Sequence, residues 1–133
     1  AIDTLQIMAS MASQEVPGEN YCPMLDAGRM EVYTGAFDRS LKQISETEAL
    51  IVDVASAQKF RNFPGLVFCG SGVEKCKSLL QDIKDSKFLP EIYPSAKFMI
   101  ALAFEKFEKK EFEDAAYFEP AYLKNFLFKK KKD

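Results

Sequence analysis

The sequence predicts an α/β fold in which helices flank a mixed five-stranded sheet. Two apolar runs joined by a tight polar turn, within residues 21–38, indicate a β-hairpin near the start of the chain. A continuous apolar run at residues 66–69 indicates a buried strand, and helical segments precede, separate and follow these strands. The 133 residues, 47% of them hydrophobic, suit a single domain over 1–133 with a sizeable core.

The first helix and the central hairpin are predicted from local patterns. Asp3-Thr4-Leu5-Gln6 has the form of a capping box, and apolar side chains on more than one face predict a helix over about residues 4–14 that is heavily buried or meets a partner. The hairpin turns at Asp26-Ala27-Gly28-Arg29, where glycine gives the backbone the freedom that a reversal needs. This turn is either a plain hairpin or a site that presents a carboxylate and free N–H groups to a ligand.

The segments between the hairpin and the buried strand are less regular. Residues 40–45 are predicted as a third strand, with Leu41 and Ile44 as its apolar positions. Residues 46–52 are ambiguous in pattern and are predicted as extended. Asp53 is placed to cap a short helix over residues 54–61.

A glycine turn, Gly70-Ser71-Gly72, follows the buried strand. Ser71 and Glu74 have the spacing of a capping box and predict a helix that continues to about Ile83. A strand, a glycine turn and a helix N-terminus in succession form an anion-friendly geometry, because N–H groups point out of such a turn. The simpler interpretation is a strand-to-helix turn without a ligand, since the GxG spacing alone is weak evidence.

The last third of the chain carries one more strand and the clearest helix. Residues 87–93 are predicted as a short strand. Residues 96–110 are predicted as a helix whose apolar first half lies deeper in the protein than its amphipathic second half. The basic run within residues 129–133 is predicted as a solvated, disordered tail, with nonspecific phosphate contact as the alternative.

Composition excludes several classes of chemistry. The sequence contains no histidine, which excludes histidine-based zinc sites, Ser-His-Asp and Cys-His catalysis, and imidazole general bases. The net charge of −2 provides no field that attracts nucleic acid or a membrane surface. The three cysteines, Cys22, Cys69 and Cys76, are an odd number without paired spacing, which indicates reduced core thiols and a cytoplasmic protein.

The predicted order of elements is helix, three strands, helix, strand, helix, strand, helix. Three sequential strands followed by alternation match a ribonuclease H-like layer, the unit that actin-like ATPases repeat. This assignment rests on topology, so it predicts a fold and carries no function by itself.

Several segments together resemble the C-terminal lobe of the TsaB family, formerly regarded as inactive M22 glycoprotease homologues. The most specific are Asp-Ala-x-x-x-Glu-Val-Tyr, which begins at Asp26, and Glu-Pro-x-Tyr-Leu-Lys-Asn, which begins at Glu119. Other matching segments follow the family's order: Asp3-Thr4-Leu5-Gln6-Ile7-Met8-Ala9, Phe68-Cys69-Gly70-Ser71-Gly72 and Tyr93-Pro94-Ser95-Ala96. The resemblance covers almost the whole chain.

The resemblance implies a non-catalytic scaffold role in tRNA processing, in the synthesis of N6-threonylcarbamoyladenosine next to the anticodon of tRNAs that read codons beginning with A. The implied partners are a TsaD-like paralogue, which performs the transfer, and a TsaE-like ATPase, with tRNA met indirectly. Family members have two lobes, so this chain is expected to be the second lobe. No cofactor is expected in this chain, and ATP is expected only with the missing lobe or a partner. The alternative is a nucleotide-binding lobe of an actin-like ATPase or an M22-type peptidase homologue.

The resemblance also gives the two glycine turns a place in the actin-like fold. Asp26, Gly28 and Arg29 fall where such folds place their second phosphate hairpin, and Gly70-Ser71-Gly72 falls at the adenosine loop. Relatives usually read Asp-Ala-Arg at the first turn, whereas Gly28 precedes Arg29 here, and the second turn has fewer glycines than in the catalytic paralogue. We interpret both turns as vestigial nucleotide or anion sites and expect no catalytic or metal-binding residues.

The first helix is the predicted interaction surface. Leu5, Met8 and Met11 lie where the first lobe would pack in a TsaB-like protein. We therefore expect an apolar surface on this helix that promotes self-association into a homodimer.

Overall fold

The computed structural model describes residues 1–124, and the predicted basic tail at 129–133 lies outside the described residues. Within residues 1–124 the helices are α1 (Thr4–Glu15), α2 (Val54–Ala57), α3 (Val73–Leu80) and α4 (Met99–Glu108), with 3₁₀ turns at Gln58–Asn62 and Ala96–Phe98. The strands are β1 (Asn20–Asp26), β2 (Glu31–Thr34), β3 (Phe37–Asp38), β4 (Glu48–Ile51), β5 (Leu66–Cys69) and β6 (Lys87–Leu89). None of the helices in this part of the chain has the length and hydrophobicity that crossing a bilayer requires.

Strand β1 lies in the middle of a mixed sheet with the order β4-β2-β1-β5-β6, and β3 is a further partner of β1. It runs antiparallel to β2 and β3 and parallel to β5, so that Leu25 pairs with Tyr33 and Cys22 pairs with Phe68. Strand β6 is parallel to β5, and β4 is antiparallel to β2. The predicted α/β class with a mixed sheet is confirmed, but the sheet has six strands and not five.

Helices cover both faces of the sheet, because its central strands are apolar on both sides. Every residue of β5 is buried, and successive side chains of a strand point to opposite faces. Phe68 packs in a core with Ala57 of α2 and Leu80 of α3, whereas Val67 packs on the other face. The continuous apolar run of β5 is thus explained by two cores that share one strand.

Helix α1 covers the Val67 face of the sheet. It begins after Asp3, whose carboxylate accepts a hydrogen bond from the backbone N–H of Leu5 at 2.7 Å. Leu5 and Met8 are 3% and 0% exposed and belong to the core between α1 and the sheet, while Met11 is half-buried at its border. The predicted interaction surface is therefore wrong for Leu5 and Met8, because the helix buries these side chains against its own sheet.

The third strand is not formed by residues 40–45. The Asp38 carboxylate accepts hydrogen bonds from the backbone N–H groups of Ser40 and Lys42 at 2.8 and 3.0 Å, and Leu41 has a φ of 62°. These local bonds favour a turn over a strand ladder. The next segment, residues 46–52, contains a strand instead. This strand is β4, and it pairs with β2. Asp53 caps α2 as predicted, with its carboxylate 2.7 Å from the backbone nitrogen of Ser56.

Helix α4 lies where it is predicted, but its burial differs from the prediction. Leu102 is the buried residue of this helix. Ile100 and Phe104 are 69% and 60% exposed, so the apolar first half does not lie deep in the protein. Within residues 1–124, the sheet and the other helices leave this side of α4 uncovered.

Candidate functional site

The two predicted glycine turns lie side by side at one edge of the sheet. Strands β1 and β5 are parallel, so their carboxyl ends meet at the same edge. The backbone N–H of Asp26, at the end of β1, donates to the Ser71 hydroxyl oxygen at 3.2 Å. We call this region, formed by Asp26-Ala27-Gly28-Arg29 and Gly70-Ser71-Gly72, the β1/β5 edge. The fold thus brings together the six residues that the sequence singled out in these two turns.

The hairpin turn is closed by hydrogen bonds within itself. Gly28 and Arg29 have φ angles of 95° and 46°, the left-handed conformation that a tight reversal uses. The Asp26 carboxylate accepts the Gly28 N–H at 2.8 Å, and the Ala27 N–H donates to the Glu31 carbonyl oxygen at 3.0 Å. These two N–H groups are therefore occupied within the turn.

Lys75, which no pattern in the sequence singled out, adds a second cation to this edge beside Arg29. Its ammonium lies 2.5 Å from the Asp26 carboxylate and 2.7 Å from the carbonyl oxygen of Glu31. The hydrogen bond from Lys75, together with the one from the Gly28 backbone, lowers the pKa of Asp26 below its usual value. Lys75 follows Asp26 by 49 residues, so only its position in the first turn after the glycine turn offered a sequence signal.

Substitution of Lys75 by methionine tests this ion pair through the pH dependence of stability. A carboxyl whose pKa is lowered in the folded protein contributes stability above its unfolded pKa, near 3.8, and loses that contribution as the pH falls through its folded pKa. We expect wild type to be more stable than the variant at neutral pH and the difference to shrink below pH about 4. Urea unfolding over a pH series measures this difference.

The matched control for that experiment is Lys59→Met. Lys59 pairs with Glu48 at 3.2 Å, and both of these side chains are about half exposed, so solvent screens the pair. We expect a smaller loss of stability than for Lys75→Met. A difference between wild type and Lys75→Met that is constant from neutral to acidic pH would contradict the role of Asp26.

The two glycines of the turn after β5 donate their N–H groups within the fold. The Gly70 N–H donates to the Leu89 carbonyl oxygen at 3.0 Å, and the Gly72 N–H donates to the Met24 carbonyl oxygen at 2.9 Å. Gly72 is the residue that caps α3, and no side chain caps this helix. The predicted capping box of Ser71 and Glu74 is therefore wrong, because the Ser71 hydroxyl instead accepts the N–H of Asp26.

The glycines of this turn are required by close packing against β1 and β2. A Cβ on Gly72 would lie 2.7 Å from a methyl group of Val32 and 3.1 Å from the carbonyl oxygen of Met24. A Cβ on Gly70 would lie 2.7 Å from the same oxygen, and the φ of Gly70 is +109°. The GxG spacing thus has a structural cause, which is the approach of one backbone to another.

The segment after α4 returns to the hairpin through Lys124. Its ammonium forms an ion pair with Glu31 and lies 3.3 Å from the carbonyl oxygen of Ala27. It also stands over the Tyr33 ring, 5.5 Å from the ring centroid. The hydrogen bond with Glu31 raises the pKa of Lys124. The motif that begins at Asp26 contains Glu31 and Tyr33, and the motif that begins at Glu119 contains Lys124. The two most specific motifs of the sequence are therefore in contact in the structure.

The three thiols of the chain lie in the interior. Cys22, Cys69 and Cys76 are buried and unbridged. Burial raises the pKa of Cys22 to about 12 and raises the pKa values of Cys69 and Cys76 as well. A reactive cysteine requires the opposite shift. Residues 1–124 also contain no group of three histidine, cysteine, aspartate or glutamate side chains arranged to hold a metal ion.

The chain is similar in structure to two solved proteins and matches none in the comparisons of sequence. No protein-family model matches the chain. No curated protein matches it either. An uncharacterized protein from Pseudomonas aeruginosa with similarity to the peptidase YeaZ has a similar structure, with a TM-score of 0.72 and 20% identity over 93% of this chain and 58% of that one. YeaZ from Pseudomonas aeruginosa is similar with a TM-score of 0.70 and 21% identity over 92% of this chain and 58% of that one.

The chain therefore has a YeaZ-like α/β fold. It spans less than two thirds of the length of these two neighbours, at 58% of each. At 20% and 21% identity this similarity shows a common fold and no more. The function of the β1/β5 edge therefore has to be argued from the chemistry of its own residues.

Proposed function

We propose that this chain is the C-terminal, ribonuclease H-like lobe of a TsaB-type scaffold that supports the synthesis of N6-threonylcarbamoyladenosine in tRNA. The observation that carries the proposal is the YeaZ-like fold over nearly the whole chain, since YeaZ is also called TsaB. The motif that begins at Asp26 and the motif that begins at Glu119 add support, because Lys124 contacts Glu31 and Tyr33. The sheet order, with β1 between β2 and β5, agrees with a ribonuclease H-like layer.

The chemistry of the β1/β5 edge favours a scaffold over a catalyst. Its carboxylate, Asp26, is paired with Lys75, and the N–H groups of Gly28, Gly70 and Gly72 donate to acceptors of the same chain. The buried thiols have raised pKa values, which disfavours a cysteine nucleophile. In this proposal a TsaD-like paralogue performs the transfer, a TsaE-like ATPase assists it, and tRNA is bound through the partners in the cytoplasm.

A nucleotide-binding lobe is the second candidate, and the same contacts weigh against it for the chain alone. A phosphate at the glycine turn would need N–H donors that Gly70 and Gly72 already direct to Leu89 and Met24. ATP binding is therefore proposed only together with a further lobe or a partner. A peptidase is less favoured still, because the sequence lacks histidine as a general base or zinc ligand.

Depletion of the protein in its own host tests the proposed function. We expect the threonylcarbamoyladenosine content of total tRNA, measured by nucleoside mass spectrometry, to fall when the reading frame that contains this chain is repressed. A second modified nucleoside made by an unrelated enzyme should stay constant and serves as the control. Unchanged threonylcarbamoyladenosine after complete loss of the protein would overturn the proposal.

A further inference from the structure

Strand β4 lies at one edge of the sheet, where β2 is its strand neighbour within residues 1–124. We propose that this edge binds an extended segment of another protein, which adds to the sheet as a further strand with alternating basic and apolar side chains. Recognition of this kind takes its affinity from main-chain hydrogen bonds and its specificity from side-chain contacts. The proposal goes beyond the function proposed above and does not depend on it.

The register of β4 on β2 shows which backbone groups of β4 are free. The Val52 N–H donates to the Met30 carbonyl oxygen at 2.8 Å, so Val52 and Met30 form a hydrogen-bonded pair. Hydrogen-bonded and non-hydrogen-bonded pairs alternate along an antiparallel ladder. Leu50 therefore bonds to β2, whereas the N–H and C=O groups of Ala49 and Ile51 point away from it. These outward groups are the donors and acceptors that an antiparallel partner strand requires.

Strand β4 also lacks the features that prevent many sheet edges from pairing. Natural edge strands are often very short or carry lysine or proline. The opposite edge strand, β6, has three residues, begins with Lys87 and is followed directly by Pro90. The four residues of β4, Glu48-Ala49-Leu50-Ile51, include neither lysine nor proline. Of these two edges, the β4 edge is therefore the one suited to strand addition.

The two faces of β4 specify the side chains of the added strand. Successive side chains alternate between the faces, and Leu50 points into the core that contains Ala57 of α2 and Leu80 of α3. Ile51 is 64% exposed on the other face, so a partner side chain beside it would be apolar. Glu48 shares the face of Leu50 but is about half exposed, so a partner side chain beside it would be basic.

The charge of this edge favours a basic strand and disfavours a second copy of this chain. Glu46 and Asp53 are exposed, two residues before and two residues after β4. Lys59 pairs with Glu48 at 3.2 Å, so negative charge is in excess among these four side chains. Two copies paired through β4 would bring both sets of carboxylates to one short ladder, where like charges repel one another.

A fluorescein-labelled peptide of alternating lysine and valine tests the edge by fluorescence anisotropy with the 133-residue chain. We expect saturable binding that weakens as salt is added, because the paired charges are exposed. A peptide with glutamate in place of each lysine is the control and should bind about tenfold more weakly or worse. Absence of binding by the wild-type chain at every soluble concentration overturns the proposal, and so does equal binding of the two peptides.

Methylation of the peptide nitrogens distinguishes strand addition from a nonspecific attraction of charges. In an antiparallel strand whose valines lie beside Ile51, the valine N–H groups face β4 and the lysine N–H groups face away from it. N-methylation of the valines should therefore abolish binding, whereas N-methylation of the lysines should leave the dissociation constant within about twofold. Equal affinity of the two methylated peptides overturns strand addition.

Two exposed isoleucines provide matched variants of the protein. Ile51→Lys puts a positive charge on the edge and should raise the dissociation constant of the lysine–valine peptide about tenfold or more. Ile100, which is 69% exposed on α4, allows the same change elsewhere, and Ile100→Lys should bind the peptide as the wild type does. Thermal melting by circular dichroism should show that both variants fold.

Two results with these variants contradict the proposal. The first is an Ile51→Lys variant that binds the lysine–valine peptide with unchanged affinity. The second is a wild-type dimer, seen by sedimentation equilibrium, that Ile51→Lys dissociates, because a second copy would then occupy the edge.

Discussion

Replacement of Gly70 by alanine should lower the free energy of unfolding by about 3–5 kcal/mol, because backbone strain and overpacking act together. The φ of Gly70 is +109°, a conformation that side chains with a Cβ rarely adopt. The new Cβ would lie 2.7 Å from the carbonyl oxygen of Met24 and would also collide with the end of the Met8 side chain. Met24 is part of the central strand, so its backbone cannot move without disturbing the sheet. Urea denaturation measures the loss.

Gly28→Ala separates the two causes. Gly28 also has a positive φ, +95°, but a Cβ there would find no atom within 4 Å. Only the backbone strain at positive φ remains, so we expect the free energy of unfolding to fall by about 1–2 kcal/mol. Equal losses at the two glycines would show that the turn after β5 is not packed against β1 as described.

Phe68→Ala should cost about 3–5 kcal/mol of unfolding free energy, because it removes a fully enclosed ring and leaves a cavity. Phe68 is 0% exposed in the core between the sheet and α3. Its ring meets Phe60 edge-to-face at 5.4 Å and stacks on Phe88 at 5.5 Å. The substitution therefore removes the ring contacts that β5 makes with the 3₁₀ turn at Gln58–Asn62 and with the edge strand β6. The urea midpoint should fall while the slope of the transition is retained.

Phe118→Ala removes the same atoms from a half-exposed ring and serves as the control. Phe118 is 49% exposed in the segment after α4. We expect its effect to stay within about 0.5 kcal/mol. A small loss for Phe68→Ala, close to that of Phe118→Ala, would contradict the placement of Phe68 at the meeting point of the three rings.

The pairing of elements explains why parts of the fold were predictable and others were not. The helix after Asp3, the hairpin turn at Gly28 and the buried strand at Leu66–Cys69 depend on residues close in sequence, and all three are confirmed. The predicted strand at residues 40–45 fails because one carboxylate, that of Asp38, organises a turn there. Its hydrogen bonds compete with a strand ladder, and apolar alternation gives no sign of them.

The β1/β5 edge likewise combines residues that the sequence identifies with contacts that it does not predict. Asp26 and the glycine turn are recognisable in the sequence, and parallel pairing of β1 with β5 places them together. Lys75 and Lys124, which complete the edge with positive charge, contact residues that are 49 and 93 positions away. No local pattern specifies such contacts, because they depend on how the strands are ordered.

The sequence by itself determined the α/β class, the helix starts at Asp3 and Asp53, the turn residues and the absence of histidine from these 133 residues. Those properties follow from side-chain type and from spacings of a few residues. Only the tertiary structure decided that Leu5 and Met8 are core, that the N–H groups of Gly70 and Gly72 are occupied, and that α4 exposes its apolar side. The physical reason is that burial and hydrogen-bond partners depend on which elements meet. In this chain the order of the six strands around β1 determines which elements pack against one another.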